Sequence, residues 1–85
     1  MHGGTDMYVI RTRFPAGFRR PPARHADDRV GTVLAGTLYI GFGEQFNEQK
    51  VVAVQEGHTW TIPARRTYFL WAKEGEVVLQ VMGNG

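Results

Sequence analysis

The stretch TVLAGTLYIGFG, residues 32–43, contains two apolar runs joined by the dipeptide Ala35-Gly36. Within Thr37–Phe42, the large apolar side chains Leu38, Ile40 and Phe42 occupy every second position. This period of two is typical of a strand with one face in a core. A glycine between two such runs marks a tight turn. The stretch therefore predicts two neighbouring β-strands.

The same pattern continues on both sides of this stretch. Eleven glycines and four prolines separate short runs rich in β-branched and aromatic residues, which is typical of an all-β chain. Seven strands are predicted: Tyr8–Phe14, Arg29–Leu34, Thr37–Phe42, Lys50–Gln55, Thr59–Ile62, Thr67–Ala72 and Glu76–Met82. No stretch has convincing helical periodicity, and Gly43–Gln49 is predicted to be an excursion between strands. Seven short strands predict a sandwich or a small barrel.

The size of the chain predicts one domain, residues 1–85, with a thin core. A chain of 85 residues buries only about 60–65% of its unfolded surface. It has no cysteine, so neither disulfides nor a thiolate zinc site can support the core. We therefore expect a homodimer or a larger homo-oligomer.

Charge and hydropathy narrow the possible partners. The net charge is +2, and the basic residues are too scattered to predict nucleic-acid binding. No apolar run is long enough to span a membrane, and residues 1–6 lack the apolar segment of a signal peptide. We expect a soluble, cytoplasmic protein whose residues 1–6 form a flexible N-terminus.

Two spaced motifs lie within the strand pattern. In the first, Gly17 is followed by five residues, Ala23-Arg24-His25, three residues, Arg29, six residues and Gly36. In the second, Gly57 is followed by five residues, Pro63-Ala64-Arg65, two residues and Tyr68. Their spacing resembles the two motifs of the cupin family over about residues 8–85. The resemblance implies an all-β cupin-type jelly roll, also called a double-stranded β-helix barrel. Similar proteins carry further strands before this point, so the barrel is expected to be short and either incomplete or completed by a partner chain.

The resemblance also assigns four positions that bind a metal in many cupins. Those proteins use three histidines and a glutamate to hold Mn, Fe, Zn, Ni or Cu. The matching positions here are Ala23, His25, Arg29 and Tyr68, of which only His25 keeps the family residue. One imidazole does not hold a divalent ion, because protein sites need three or four donors. We expect neither a metal nor another cofactor.

An alternative alignment keeps a divalent transition metal in consideration. A bulge at Gly31 would shift the register by one residue and place Asp28 where Arg29 stands. A metal would then be held by His25 and Asp28, with Tyr68 as a weak third ligand. His58 is a poor substitute, because a histidine just after a turn is usually exposed to solvent. The alignment with Arg29 needs no gap and is preferred.

An arginine at a metal-ligand position changes what the site would bind. An inward guanidinium at Arg29 offers a planar set of donors that suits a carboxylate or a phosphate. Three more arginines would surround the rim of the barrel: Arg24, Arg65 and Arg66. The alternative is that these arginines form weak surface pairs with neighbouring carboxylates: Asp27, Asp28 and Glu56.

Aromatic residues leave two interpretations open. His25 and Tyr68 would face each other and act as general base and acid, or form a buried hydrogen-bonded pair. Trp60 and Met82 would add apolar surface for a ligand. In TYFLWA, residues 67–72, Tyr68 shares a face with Leu70 and Ala72, whereas Phe69 and Trp71 would lie outside the barrel and suggest a subunit interface.

The leading prediction is a metal-free small cupin that binds a small anionic or aromatic molecule, with Arg29, His25, Tyr68, Trp60 and Met82 as ligand-binding residues. The first alternative is an enzyme, either a metal-independent isomerase or cyclase using His25 and Tyr68 or an oxygenase with an atypical metal site. A second alternative is a fully packed structural barrel. Fold alone does not choose among these alternatives.

Overall fold

A computed structural model describes residues 7–84 as two antiparallel β-sheets without a helix. The predicted flexible segment, residues 1–6, lies outside the described residues. The eight strands are β1 (Met7–Phe14), β2 (Arg19–Ala23), β3 (Arg29–Ala35), β4 (Thr37–Phe42), β5 (Val52–Gln55), β6 (Thr59–Ile62), β7 (Tyr68–Trp71) and β8 (Val77–Asn84). In this part of the chain no helix is long and apolar enough to cross a bilayer.

The strands form two sheets of four, in the orders β1-β8-β3-β6 and β2-β7-β4-β5. We call them the β1 sheet and the β2 sheet. Most neighbours within a sheet are distant in sequence; β1, for instance, pairs with β8 from Met7 opposite Asn84 to Phe14 opposite Val77. This topology is a jelly roll, as predicted. No strand ladder of residues 7–84 joins the two sheets, so the barrel is not closed.

The core lies between the two sheets and consists of inward-facing side chains from every strand except β2. Val33, Leu38 and Leu79 have no exposed surface at all. The rest of the buried cluster consists of Phe14, Ile40, Val54, Ile62, Tyr68, Leu70, Ala72 and Val77. Burial of apolar area contributes about 25 cal/mol per Å², so this interior is what holds the two sheets together.

The connection between β3 and β4 has the predicted turn. Gly36 has a φ of 84°, and a Cβ there would collide with the carbonyl oxygen of Glu76. Only glycine meets both requirements. The predicted strand β4 has the observed bounds, and so does β6. The other five predicted strands differ from the observed ones by one or two residues at one or both ends. The largest differences are that β5 begins at Val52 rather than Lys50 and that β8 ends at Asn84 rather than Met82.

Strand β2 was not predicted, because its sequence RRPPA contains two prolines. Proline cannot donate a backbone hydrogen bond, so it is tolerated in a sheet only at an edge or a bulge. Both exceptions apply here. β2 is the edge of the β2 sheet, and its register to β7 shifts between Arg20 and Ala23, where the prolines lie.

The expectation that Phe69 and Trp71 form a subunit interface is wrong for this chain. They lie on the outer face of the β2 sheet, as predicted, but Phe69 has no exposed surface and Trp71 is buried. The loop between β4 and β5 folds back over them, and the ring of Phe46 lies 4.5 Å from that of Phe69 and 5.5 Å from that of Trp71. The chain covers its own aromatic face.

Candidate functional site

A cavity of about 290 Å³ lies between the two sheets, on the side where β1 and β2 form their edges. It combines an apolar wall with three basic side chains and one phenol. Its lining residues are Ile10, Thr12, Phe14, Arg20, His25, Arg29, Tyr68, Leu70, Leu79 and Val81.

Alternating strand geometry explains which side chains reach this cavity. Arg29 begins β3 in register with Gly83 of β8, and Arg20 of β2 is opposite Leu70 of β7. Leu70 faces the core, so its partner in the ladder faces the interior as well. His25 follows β2 in the connection to β3. The structure thus brings Arg29, His25 and Tyr68 together, as the motif alignment predicted.

Arg20 lines the cavity and was not predicted from the sequence. Its guanidinium carbon lies 4.4 Å from the centre of the Tyr68 ring, and its Nη2 donates to the Tyr68 carbonyl oxygen at 3.3 Å. Its Nε is buried without a hydrogen-bond partner. Among residues 7–84 no carboxylate pairs with it. Burial, and then the charge of Arg29, lower the pKa of Arg20.

Arg29 is already partly neutralised within the chain. Its Nε lies 3.4 Å from Oδ1 of Asp27, and the Tyr8 hydroxyl donates to the other oxygen of the same carboxylate at 3.0 Å. The guanidinium also lies 5.6 Å from the centre of the Tyr8 ring. The two arginines of the cavity therefore differ, because Asp27 balances the charge of Arg29 and no carboxylate of the described residues balances that of Arg20.

His25 lines the same cavity as these two arginines. Its pKa is lowered from the ordinary value of about 6.5, first by burial and then by the charges of Arg29 and Arg20, with Asp27 opposing. Its ring meets the Tyr68 ring edge-on, with centroids 5.9 Å apart. Within the described residues no hydrogen bond joins the two, so the hydrogen-bonded pair considered from the sequence does not form.

The donors of the cavity do not fit a divalent metal. They are one imidazole and one phenol, beside two guanidinium groups that repel a cation. Asp28 lies elsewhere, because its Oδ1 accepts a hydrogen bond from the backbone N–H of Ala64 at 2.6 Å. The cavity is lined by Arg29 and not by Asp28. Nowhere in residues 7–84 do three His, Cys, Asp or Glu side chains cluster as metal ligands would.

Two other predicted ligand-binding residues lie away from the cavity. Trp60 packs against the core, and its ring fills the space over Gly31, where a Cβ would overlap it. Met82 is opposite Val9 and Val30 on the outer face of the β1 sheet. It points outward because the inward positions of β8 are Val77, Leu79 and Val81. His58 is exposed in the turn between β5 and β6.

The signal that could have revealed Arg20 lies in its neighbour. A residue before proline is restricted to extended conformations, so Arg20-Pro21 already indicated an extended segment. An extended chain alternates its side chains, but the sequence does not say which set faces inward. That depends on the register between β2 and β7, which only the folded structure provides.

Comparison with known structures identifies the fold. A cupin-2 domain containing protein from Shewanella frigidimarina superposes with a TM-score of 0.76 and 25% identity, over 94% of this chain and 72% of its own length. This chain is a small cupin-type protein. A cupin superfamily protein from Desulfitobacterium hafniense has a TM-score of 0.77 at 14% identity, over 92% of this chain and 66% of its own.

An enzyme is also among the structures that share this cupin fold. Oxalate oxidase in complex with the substrate analogue glycolate has a TM-score of 0.77 and 24% identity. The match includes 93% of this chain and 42% of the oxalate oxidase chain. No protein-family sequence model matches the chain, and no curated protein is significantly similar to it in sequence. The comparisons thus establish the fold.

Proposed function

We propose that this cupin binds a small organic anion, with the acidic group at Arg20 and the apolar body along the cavity wall. The observation that carries the proposal is the Arg20 guanidinium, which lies in the cavity wall without a carboxylate partner among residues 7–84. A partly buried cation without a counter-ion is unfavourable, and a bound carboxylate would supply one. Arg29 and His25 would add donors beside it.

The rest of the cavity suits the remainder of such a ligand. Five of its lining residues are aliphatic or aromatic hydrocarbons: Ile10, Phe14, Leu70, Leu79 and Val81. Its volume of about 290 Å³ lies at the small end of ligand cavities, which measure roughly 300–1,000 Å³. The oxalate oxidase of the same fold takes a small carboxylate, glycolate, as a substrate analogue. A monocarboxylate with a short aliphatic or aromatic body fits these requirements.

A proton-transfer enzyme is the second candidate, and one observation favours it. The lowered pKa of His25 keeps this imidazole neutral at pH 7, as a general base requires. The base must also reach the proton that it removes, at about 2.6–3.2 Å between heavy atoms. The edge-on contact of His25 with Tyr68 leaves the pair unconnected, so binding accounts for more of the geometry than catalysis does.

Titration calorimetry with benzoate and hexanoate tests the proposal. Both carboxylates should bind, whereas benzyl alcohol and hexanol, which lack the charge, should bind at least about tenfold more weakly. Arg20→Met should weaken both carboxylates by about 10- to 100-fold, since a charge-assisted hydrogen bond contributes about 1.5–3 kcal/mol. The thermal midpoint of this variant should change little, because removal of a partly buried unpaired charge offsets the lost contacts with Tyr68 and methionine keeps most of the volume.

The matched control is Arg13→Met, which removes the same charge from outside the cavity. Arg13 is exposed and pairs with Glu76, so its loss should leave carboxylate affinity within about twofold. Absence of carboxylate binding to the parent protein, or equal losses in both variants, would reject the proposal. A stoichiometric transition metal in protein purified without chelator would also contradict it and would favour the oxygenase alternative.

We also propose that a second copy of the chain lies along the exposed side of β1. Met7 and Val9 of this edge strand are 64% and 58% exposed, and Val30 and Met82 continue the apolar row across the β1 sheet. Ile10 lines the cavity and yet is 52% exposed, so the cavity wall is open at this strand. A homodimer formed here would cover the row and complete the barrel.

A cytoplasmic location stays a prediction.

A further inference from the structure

A second hollow shares the residue His25 with the barrel cavity. Its volume is about 310 Å³, and its lining residues are Arg24, His25, Ala26 and Arg65. His25 is the only residue that lines both this hollow and the barrel cavity. His25 therefore borders both spaces, with Arg20 and Arg29 lining the first and the exposed Arg24 and Arg65 lining the second.

Backbone hydrogen bonds hold the outer hollow in shape. The N–H of Arg65 donates to the carbonyl oxygen of His25 at 2.7 Å, and the N–H of Ala64 donates to Asp28 at 2.6 Å. These bonds tie the turn after β6 to the connection between β2 and β3. The backbone of Arg65 is thereby held beside His25, and its exposed side chain extends from there.

The backbone of Arg65 is in a conformation that favours glycine. Its φ is 65°, and it is the only residue other than glycine with a positive φ among residues 7–84. A side chain in the left-handed region is destabilising, and such outliers concentrate at functional sites. Glycine would suit the turn better, so the arginine side chain at this position calls for a role other than folding.

The charges around the outer hollow leave it positive. Within the described residues neither Arg24 nor Arg65 forms an ion pair. The two nearby carboxylates are occupied elsewhere, because Asp28 accepts from the Ala64 backbone and Asp27 contacts Arg29 and Tyr8. Two unpaired guanidinium groups beside a neutral imidazole attract a second anionic group.

We propose that the outer hollow is a second anion subsite and that the ligand of this protein is a dianion. One carboxylate of the ligand lies at Arg20 and Arg29 in the barrel, the chain of the ligand passes His25, and the second acidic group lies between Arg24 and Arg65. This inference rests on the proposed function and narrows the ligand class from small organic anions in general to dicarboxylates or phosphorylated acids. His25 contacts the middle of the ligand and would donate or accept a hydrogen bond there.

Paired aliphatic acids test this inference by titration calorimetry. Malonate, succinate, glutarate and adipate are each compared with the monocarboxylate of the same carbon number. One dicarboxylate, the one whose length matches the span, should bind at least about tenfold tighter than its monocarboxylate. Arg65→Gly should remove this advantage and leave the affinity for the monocarboxylate within about twofold. The thermal midpoint of Arg65→Gly should not fall, because glycine adopts a positive φ without steric strain.

Arg66→Gly is the matched control, since it removes the same charge from the next residue. Arg66 lies over the Phe42 ring, at 4.4 Å from its centre, and does not line the hollow. Arg66→Gly should still bind the matching dicarboxylate at least about tenfold tighter than its monocarboxylate. If monocarboxylates bind but no dicarboxylate binds better, or Arg65→Gly changes nothing, the second subsite is wrong and the proposed function stands. If no carboxylate of either kind binds, both are wrong.

Discussion

Arg20 and Arg29 show how two identical side chains in one cavity differ in what they can bind. Asp27 contacts Arg29, whereas Arg20 has only the ring and a carbonyl oxygen of Tyr68. A partly buried charge without an opposite charge is unfavourable for a small protein. The placement of Arg20 in the cavity wall is therefore the basis of the proposed binding function.

His25 predicts how carboxylate binding depends on pH. Burial and two arginines lower its pKa in the free protein, and a bound carboxylate beside it would raise that pKa again. Binding would then take up a proton, so affinity should increase as pH falls below about 6.5, by at most about tenfold per pH unit. Calorimetry with benzoate between pH 8 and pH 5.5, where benzoate stays ionised, measures this slope.

The control for this prediction is His25→Gln, which keeps a polar side chain but cannot be protonated. Its benzoate affinity should be flat over the same range. As pH falls, the stability of the free protein should decrease while its affinity for benzoate increases. Because the folded pKa of His25 lies below the unfolded value of about 6.5, stability is fully present above pH 6.5 and declines as pH falls toward the folded pKa. A slope that persists in His25→Gln would exclude this role.

Among the elements, the loop between β4 and β5 covers the outer aromatic face of the β2 sheet, which was expected to form a subunit interface. Phe46 packs on Phe69 and Trp71, and the guanidinium carbon of Arg19 lies 4.6 Å from the centre of the Phe46 ring. Arg19 also pairs with Glu48 of the same loop. One aromatic anchor and one arginine thus hold the segment against the outer face of the β2 sheet.

Phe46→Ala tests this anchoring. Removal of a partly buried aromatic ring from two others should lower the free energy of unfolding by about 1–3 kcal/mol. The exposure of Trp71 should shift the tryptophan emission toward longer wavelength. Benzoate affinity should not change, because the loop lies on the opposite face of the sheet from the cavity. Urea denaturation followed by fluorescence measures both effects.

Gln45→Ala is the control for this loop, since Gln45 is exposed and its loss should change stability by less than about 0.5 kcal/mol. Equal stability of Phe46→Ala and the parent would mean that the loop does not protect the aromatic face in solution. In that case Phe69 and Trp71 would again be candidates for a subunit interface.

At the scale of the whole molecule, the open side of the barrel decides the expected assembly. β1 is an eight-residue edge strand without proline, and its two charged residues, Arg11 and Arg13, lie in its second half. Its first half, residues 7–10, is uncharged, and such edges pair with other chains unless charges or prolines prevent it. β2, the edge of the other sheet, contains two prolines and is protected in that way. A second copy is therefore expected at β1 and not at β2.

Val9→Lys tests this assembly by sedimentation equilibrium. The parent protein should be a dimer, and the variant should be a monomer, because a lysine in the apolar row would be buried without a partner. Val52→Lys is the matched control, since Val52 is 66% exposed on β5 of the β2 sheet. It should remain dimeric. A monomeric parent protein, or dissociation by both variants, would contradict the proposed interface.

The sequence by itself determined the all-β class, most of the strands and the alignment of His25, Arg29 and Tyr68. These features follow from local rules, namely alternation along each strand, glycine at turns, and fixed spacing within two motifs. The tertiary structure alone decided that Arg20 faces the cavity, that Met82 faces away from it, and that Phe46 covers the outer aromatics. Each of these depends on the register or contact of segments far apart in the chain, and a shift of one residue would reverse the facing of a whole strand.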